Sequence, residues 1–253
     1  MSRGAALAWS RAIIVVALIL LLEILCRVGI IKPLTLVPPS LMLTDLAELL
    51  RSGAIAEDIG QTFAEVGTAF VIAGVLGFGL GALVHAVPRL RAAIDPLLAA
   101  WYAIPLFVFY PLLVALFGLN VLPLMAIGVA FATPAMIIAT LTGLDRVPPV
   151  LRRVARVHRM GRLATVRLVI LPSAAPFLFG GLKLCFAYAF IGVIAGEFIL
   201  SAGGLGYGIA YAYDSFENRK MYALMLFVLL LAVGVNTVLQ AMESRLAARR
   251  ARA

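Results

Sequence analysis

Few residues of this 253-residue chain have the types and spacing that covalent chemistry requires. The two histidines, His85 and His158, stand alone, and the two cysteines, Cys26 and Cys185, lie in apolar stretches without metal-type neighbours. Catalytic and metal centres need several such groups to converge, so isolated ones are more typical of packing or of solvated positions. The sequence therefore predicts no catalytic residue, no metal and no cofactor, and it does not indicate an enzyme.

One glycine-rich segment, Gly203-Gly204-Leu205-Gly206, has a composition that could cradle a phosphate. It lacks the Lys-Ser/Thr pair that completes a phosphate-binding loop, and no G-x-x-x-x-G-K-[ST] motif occurs anywhere in the chain. A turn or a cap is therefore the simpler interpretation. If the chain takes part in an ATP-driven process, we expect a separate subunit to hydrolyse the ATP.

Glu197 is a carboxylate near the end of a long apolar run. Carboxylates within apolar spans are costly and usually face a cavity or a partner. One hypothesis gives Glu197 a role in a passage or gate. The other makes it a structural carboxylate that accepts hydrogen bonds from neighbouring backbone or from Tyr207. The sequence leaves both open.

The overall composition indicates a membrane protein. Hydrophobic residues make up 64% of the chain and charged residues 13%, and the mean hydropathy is +1.09. A soluble domain of this size could not bury so much apolar surface, so lipid is the expected solvent. Most of the net charge of +9 lies in short segments between apolar runs, which indicates membrane topology rather than nucleic-acid binding.

Apolar runs of about 20 residues, the length that crosses a bilayer, predict about six transmembrane helices. The runs cover about 12–30, 66–87, 97–117, 121–143, 176–200 and 221–242. The uncharged stretch 96–144 is divided at Gly118-Leu119-Asn120, because a single helix of that length would far exceed the bilayer thickness. Before the second run, a polar-edged segment from Lys32 to Glu65 contains a short amphipathic helix, with Ser40 as its predicted cap. We predict an all-α integral membrane protein with a single domain over residues 1–253.

The positions of lysine and arginine predict the orientation of these spans. With six spans, Arg3, Arg11, the 88–95 turn, the 145–167 loop and the arginines of the C-terminal tail lie on one side. The opposite side carries fewer basic residues and more acidic ones. Both termini are therefore expected in the cytoplasm.

The most basic loop, from Asp145 to Arg167, contains a predicted amphipathic helix over 149–160. Pro148-Pro149 suits a first helical turn. The apolar residues fall on one face at helical spacing, namely Val150, Leu151, Val154, Val157 and Met160. Such a helix can lie on anionic lipid headgroups or dock onto a partner protein, and the pattern alone does not distinguish the two.

Several short motifs follow one another in order along the chain. They are Asp95-Pro96-Leu97, Ile104-Pro105, Tyr110-Pro111-Leu112, Phe117-Gly118, Leu171-Pro172-Ser173-Ala174-Ala175-Pro176, Gly181-Leu182, Glu197 and Gly204-Leu205-Gly206-Tyr207. This ordered set resembles the transmembrane subunits of bacterial binding-protein-dependent ABC importers, and in particular their nitrate, sulfonate and taurine-type branch. The resemblance covers most of the chain from about Val37 to Arg245.

The cytoplasmic signature of this family, E-A-A-x3-G-x9-I-x-L-P, aligns when Leu171-Pro172 is taken as its end. Arg153 then stands at the Glu, Val154-Ala155 at the alanines, Arg159 at the Gly and Val169 at the Ile. The resemblance implies that this helix couples the subunit to its ATPase through Val150, Arg153, Val154, Ala155, Arg159, Leu171 and Pro172. Arginine at positions 153 and 159, in place of the Glu and Gly of the signature, has two possible explanations, which the sequence leaves open. The ATPase has an acidic groove, or this subunit pairs with a second, non-identical permease.

The resemblance also implies a fold, a location and partners. It implies a type I ABC importer permease fold with an N-terminal helix at 12–30, a core at about 60–245 and a cytoplasmic coupling loop at 145–172. It further implies a multi-pass protein of the bacterial inner membrane. The implied partners are two copies of an ATPase subunit, a second permease copy, identical or not, a periplasmic or surface substrate-binding protein and lipid, but no nucleic acid.

The resemblance further implies a small anionic or sulfonate-like organic solute. It assigns Glu197, Gly204, Leu205 and Gly206 to the translocation path or outer gate. On this basis we expect Glu197 and Gly206 to affect transport more than assembly.

A secondary transporter or channel subunit is the alternative function. It would predict internal repeats or several charges within the spans, and the sequence shows little beyond Glu197 and a Glu23–Arg27 pair. A membrane-embedded enzyme would need a catalytic or metal cluster, for which the sequence gives no sign.

Overall fold

The computed structural model describes residues 3–32, 34–118 and 120–250, without the side chains of 3–8, 11, 12, 200 and 245–250. Every regular element within these residues is a helix. The long helices are α1 (Arg3–Arg27), α3 (Ala56–Ala86), α6 (Val121–Asp145), α9 (Leu171–Leu200) and α11 (Asn218–Arg250). The shorter ones are α2 (Pro39–Ser52), α4 (Pro88–Ala100), α5 (Tyr110–Phe117), α7 (Pro149–Val157), α8 (Arg162–Thr165) and α10 (Leu205–Asp214).

Four helices among the described residues are long and apolar enough to cross a membrane. They are α3, α6, the helix Arg162–Ile199 that contains most of α9, and the Asn218–Ser244 part of α11. A bent pair of helices, Pro88–Ala103 and Leu106–Phe117, makes a fifth candidate. The prediction of an all-α integral membrane protein is confirmed. The remaining predicted span, about 12–30, overlaps α1, which is not among these candidates, so the count of six stays a prediction.

The prediction of one helix over 97–117 is wrong, because a proline interrupts that stretch. Pro105 lacks the amide that would continue a helix, and Ile104 before it is extended, with φ −80° and ψ 122°. Short 3-10 turns at Trp101–Ala103 and Leu106–Phe109 flank this break, and the two halves meet at 91°.

Contacts at its two ends show that the bent pair runs from one end of the bundle to the other. Arg91 of α4 forms a bidentate ion pair with Asp145 at the end of α6, with N···O distances of 2.8 and 2.7 Å. Asn120, just after α5, lines a cavity with Gln61 near the start of α3. We call these the Asp145 end and the Glu197 end of the bundle. A chain that connects them is a broken span, which membrane proteins tolerate within a bundle.

The core lies between α3, α6 and α9, which pack extensively on one another. Small residues allow a close approach: a Cβ added to Gly192 of α9 would lie 2.9 Å from the Cα of Gly128 in α6. Around this contact lies a buried cluster that includes Val66, Ala69 and Val193. This packing fixes the position of α9 and of the carboxylate at its end.

Two predictions for the segment before the core are corrected. α3 begins at Ala56, well before the predicted start near residue 66, and its first turn carries Glu57 and Asp58, which suit a helix N-terminus. Ser40 does not cap α2, because its hydroxyl donates to the Glu23 carboxylate at 2.6 Å.

Candidate translocation and coupling sites

Glu197 is fully buried near the end of α9. It accepts hydrogen bonds from the Thr62 hydroxyl of α3 at 2.8 Å and from the Gly206 amide of α10 at 2.8 Å. Among the described contacts, its partner in α10 is therefore the backbone amide of Gly206 and not Tyr207. The carboxylate stands at the N-terminus of α10, where the helix dipole favours negative charge. Glu197 thus joins three helices at one point.

Three successive amides at the start of α10 are held by side chains from α3 and α9. The amides of Gly204–Gly206 donate in turn to Asp58 at 3.1 Å, to Thr62 at 2.9 Å and to Glu197 at 2.8 Å. The first amides of a helix have no partner within it, so these side chains supply the missing acceptors. We call Asp58, Thr62, Glu197 and the three amides the clasp.

Gly204 and Gly206 leave no room for side chains in the clasp. Gly204 has a φ of +92°, a conformation that other residues rarely adopt. A Cβ added to Gly206 would lie 2.6 Å from the Cβ of Glu197, which is well inside van der Waals contact. A larger side chain there would separate α9 from α10. We therefore revise the expectation for Gly206 and expect its substitution to impair assembly as well as transport.

Glu65 is a buried carboxylate that the sequence interpretation missed. It is 5% exposed, its Oε1 accepts a hydrogen bond from Gln61 at 2.9 Å, and its Oε2 has no partner among the described residues. It was assigned to a polar-edged segment, whereas α3 extends past it on both sides. The spacing of Asp58, Thr62 and Glu65 by four and three residues is the helical signal that could have extended the predicted span.

A cavity of about 420 Å³ lies beside the clasp at the Glu197 end. It forms where the ends of α3, α5 and α6 meet the loop before α10, and Gln61, Tyr110, Asn120 and the segment 201–203 line it. The segment 201–203 forms one wall of this cavity. The predicted path residues Gly204, Leu205 and Gly206 do not line the cavity but are buried behind that wall. The clasp therefore holds one wall of the cavity rather than lining it.

At the Asp145 end, α7 exposes an apolar stripe. Val150, Val154 and Val157 are 63%, 46% and 80% exposed. Ala155 lies on the opposite face and is 1% exposed within the chain itself. The sequence-based expectation that Ala155 approaches a partner closely is therefore not supported, and the stripe of valines is the surface available for docking.

Two further features fix α7 on the bundle. The Arg152 guanidinium donates to the carbonyl of Leu144, near the end of α6, at 2.8 Å. α7 also packs on the π-helical turn Val166–Ile170 that precedes α9. Leu171 and Pro172, the end of the predicted signature, form the first turn of α9 directly after this π-helical turn. α7 is thus attached to the end of α6 and to the π-helical turn that precedes α9.

The predicted helix over 149–160 ends at Val157, and Arg159, two residues later, has a conformation that normally belongs to glycine. Its φ is +51°, its amide bonds the carbonyl of Arg156 at 3.0 Å, and the Met160 amide bonds that of Ala155 at 3.0 Å. This pattern is a Schellman motif, whose left-handed position is usually glycine. Gly161 has a φ of −62° and does not fill that position. The geometry supports the alignment that set Arg159 at the signature glycine.

We expect Arg159→Gly to stabilise the purified chain by up to about 1 kcal/mol, because it removes the strain of a left-handed non-glycine residue. The measurement is the thermal unfolding midpoint in detergent. Arg162→Gly, within α8, is the matched control and should give no gain, because glycine is unfavourable in a helix. A lower midpoint for Arg159→Gly than for the unaltered chain would contradict this expectation.

Residues 45–252 match the family described as the binding-protein-dependent transport system inner membrane component. Because this match spans most of the chain, the protein belongs to that family of ABC importer permeases.

Individual relatives identify the branch. The chain is 28% identical over 189 residues to a nitrate import permease of Leptolyngbya laminosa, which covers 74% of this chain and 67% of that protein. It is 31% identical over 173 residues to a bicarbonate transport system permease of Synechococcus elongatus, covering 67% and 61%. A Bacillus subtilis protein assigned to aliphatic sulfonate transport is 26% identical over 219 residues, covering 85% and 78%. The predicted resemblance to the nitrate and sulfonate branch is confirmed.

The fold is similar to that of a solved transporter. An inward-facing structure of the MetNI methionine ABC transporter matches with a TM-score of 0.66 and 17% identity, covering 76% of this chain and 95% of that one. At this identity the likeness concerns the fold alone, and it confirms the predicted type I importer permease fold.

Proposed function

We propose that this chain is the membrane subunit of an ATP-driven importer for a small oxyanion, and that a separate ATPase docks onto α7. The complex would contain two ATPase copies, a second permease subunit and a substrate-binding protein outside the membrane. The exposed valine stripe of α7, in a loop fixed to α6 and α9, is the observation that carries the coupling role. An apolar stripe of this kind fits a groove on a partner protein.

The length of the following helix places α7 outside the hydrocarbon layer. The helix Arg162–Ile199 has 38 residues, which is about 57 Å at 1.5 Å per residue. The hydrocarbon layer of a bilayer is about 30 Å thick. Such a helix extends beyond the hydrocarbon layer, and α7 packs near its first turns, on Val166–Ile170. This supports α7 as the contact for a cytoplasmic subunit.

The solute is inferred from the relatives. The names of three relatives give nitrate, bicarbonate and aliphatic sulfonates as their solutes. All three kinds of solute carry negative charge on oxygen atoms. We expect the binding protein to select the solute, and the permease to pass oxyanions of this size. Competition for uptake among these three compounds would identify the preferred one.

The purified chain is expected to hydrolyse no ATP, because it contains no phosphate-binding loop. Reconstituted in vesicles with its ATPase and binding protein, it should accumulate labelled nitrate, bicarbonate or ethanesulfonate only when ATP is supplied. Uptake driven by an ion gradient without the ATPase would instead support the secondary transporter alternative.

We also propose that both termini lie in the cytoplasm. The arginines of the 145–167 loop support this orientation, while Arg252 lies outside the described residues. Reporter fusions after Ala253 and at Gly161 should report the cytoplasm, and a fusion at Ser215 should report the opposite side. One common side for all three fusions would show the topology to be wrong.

A further inference from the structure

The loop that carries α7 concentrates positive charge without any internal compensation. Seven arginines lie between residues 146 and 167, and no acidic residue follows until Glu197. The acidic residue just before the loop, Asp145, is already paired with Arg91. The ion pairs found among the described residues include none of these seven arginines.

Two of the seven arginines have side-chain contacts with other described residues. Arg152 donates to the Leu144 carbonyl, and the Arg146 guanidinium lies 5.4 Å from the ring centroid of Phe177. The other five are exposed, namely Arg153, Arg156, Arg159, Arg162 and Arg167. Five guanidinium groups are therefore available to a partner.

The exposed arginines of α7 lie beside its apolar stripe. At 100° per residue, Arg153 points away from the buried Ala155 and stands at one edge of the valine stripe, about 40° from Val157. Arg156 stands at the edge of the same face. An apolar centre with a charged rim is the usual arrangement of a protein interface.

We propose that the ATPase groove that receives α7 is acidic, with carboxylates that face Arg153 and Arg156 at the edge of an apolar floor for the valines. This inference rests on the proposed docking of α7 and adds the chemistry of the partner. Guanidinium groups bind carboxylates bidentately, which fixes orientation as well as adding attraction. Complementary charge of this kind selects the matching ATPase and speeds association.

The test uses the affinity-tagged full chain in nanodiscs and the copurifying subunit that carries a phosphate-binding loop. The paired variant Arg153→Glu/Arg156→Glu should weaken binding of that subunit by about tenfold or more at low salt. The loss should shrink at about 1 M salt, where charges are screened. Arg89→Glu, an exposed arginine of α4 outside the loop, is the matched control and should bind normally.

The outcomes separate this inference from the docking proposal. If Val157→Asp abolishes binding while the paired arginine variant binds normally, the acidic groove is wrong and docking stands. If neither change affects binding, docking through α7 is itself wrong. A fluorophore attached at residue 158 reports how close α7 lies to the headgroups of phosphatidylglycerol nanodiscs. If the paired variant binds the ATPase normally but its fluorophore moves away from the headgroups, the arginines face lipid and the acidic groove is overturned.

Discussion

Val157→Asp is expected to abolish docking of the ATPase and to lower ATP-driven uptake by two or more orders of magnitude. Val157 is 80% exposed in the free chain, so aspartate there leaves the fold of the subunit intact. In the docked complex it would press a charge against an apolar floor, and removing that charge from water costs several kcal/mol. Each factor of ten in association corresponds to about 1.4 kcal/mol, so the stated loss follows.

Copurification of the ATPase at matched membrane levels and uptake in vesicles are the measurements. Val157→Thr is the matched control, because it keeps the shape of the side chain and adds no charge. It should lose far less ATPase binding and far less uptake than Val157→Asp. Ala155→Glu is a poorer test, since Ala155 is buried within the chain and the variant should detach α7 from its own bundle. Normal copurification and uptake by Val157→Asp would show that the valine stripe does not dock.

Glu197→Ala is expected to lower both the thermal stability of the subunit and its uptake. The change leaves the Thr62 hydroxyl and the Gly206 amide without their acceptor in a buried site. Each unsatisfied group costs about 1–3 kcal/mol, and the deleted side chain adds a cavity. Because the clasp holds one wall of the cavity at the Glu197 end, that cavity should lose its shape in the variant, and uptake should fall.

Glu197→Gln separates the two hypotheses for this residue. Glutamine keeps one acceptor oxygen and the same volume, so a structural clasp should retain most of its stability and uptake. If Glu197→Gln is as stable as the unaltered chain but transports nothing, the carboxylate has the gate role instead. Full uptake and normal stability of Glu197→Ala would exclude both roles.

The sequence by itself determined the features that depend on a single helix or on the solvent. Lipid requires long apolar helices, so the composition and the runs at 66–87, 121–143, 176–200 and 221–242 predicted an all-α membrane protein and four of its spans. The amphipathic helix of the basic loop was also predicted, because the helical spacing of apolar residues is a local property of the sequence. The absence of a phosphate-binding loop motif likewise follows from the sequence alone.

Only the tertiary structure decided which faces and groups meet. The clasp joins Thr62 to Glu197, which are 135 residues apart, and no local pattern encodes such a pairing. The stripe on α7 was visible in the sequence, but packing of the loop on the bundle decided that Ala155 turns inward and the valines outward. The bend at Pro105 and the burial of Glu65 have the same origin. Proline disfavours a helix interior, yet Pro134 and Pro176 lie inside α6 and α9, so the packing of neighbouring helices decides where the chain bends and which face is buried.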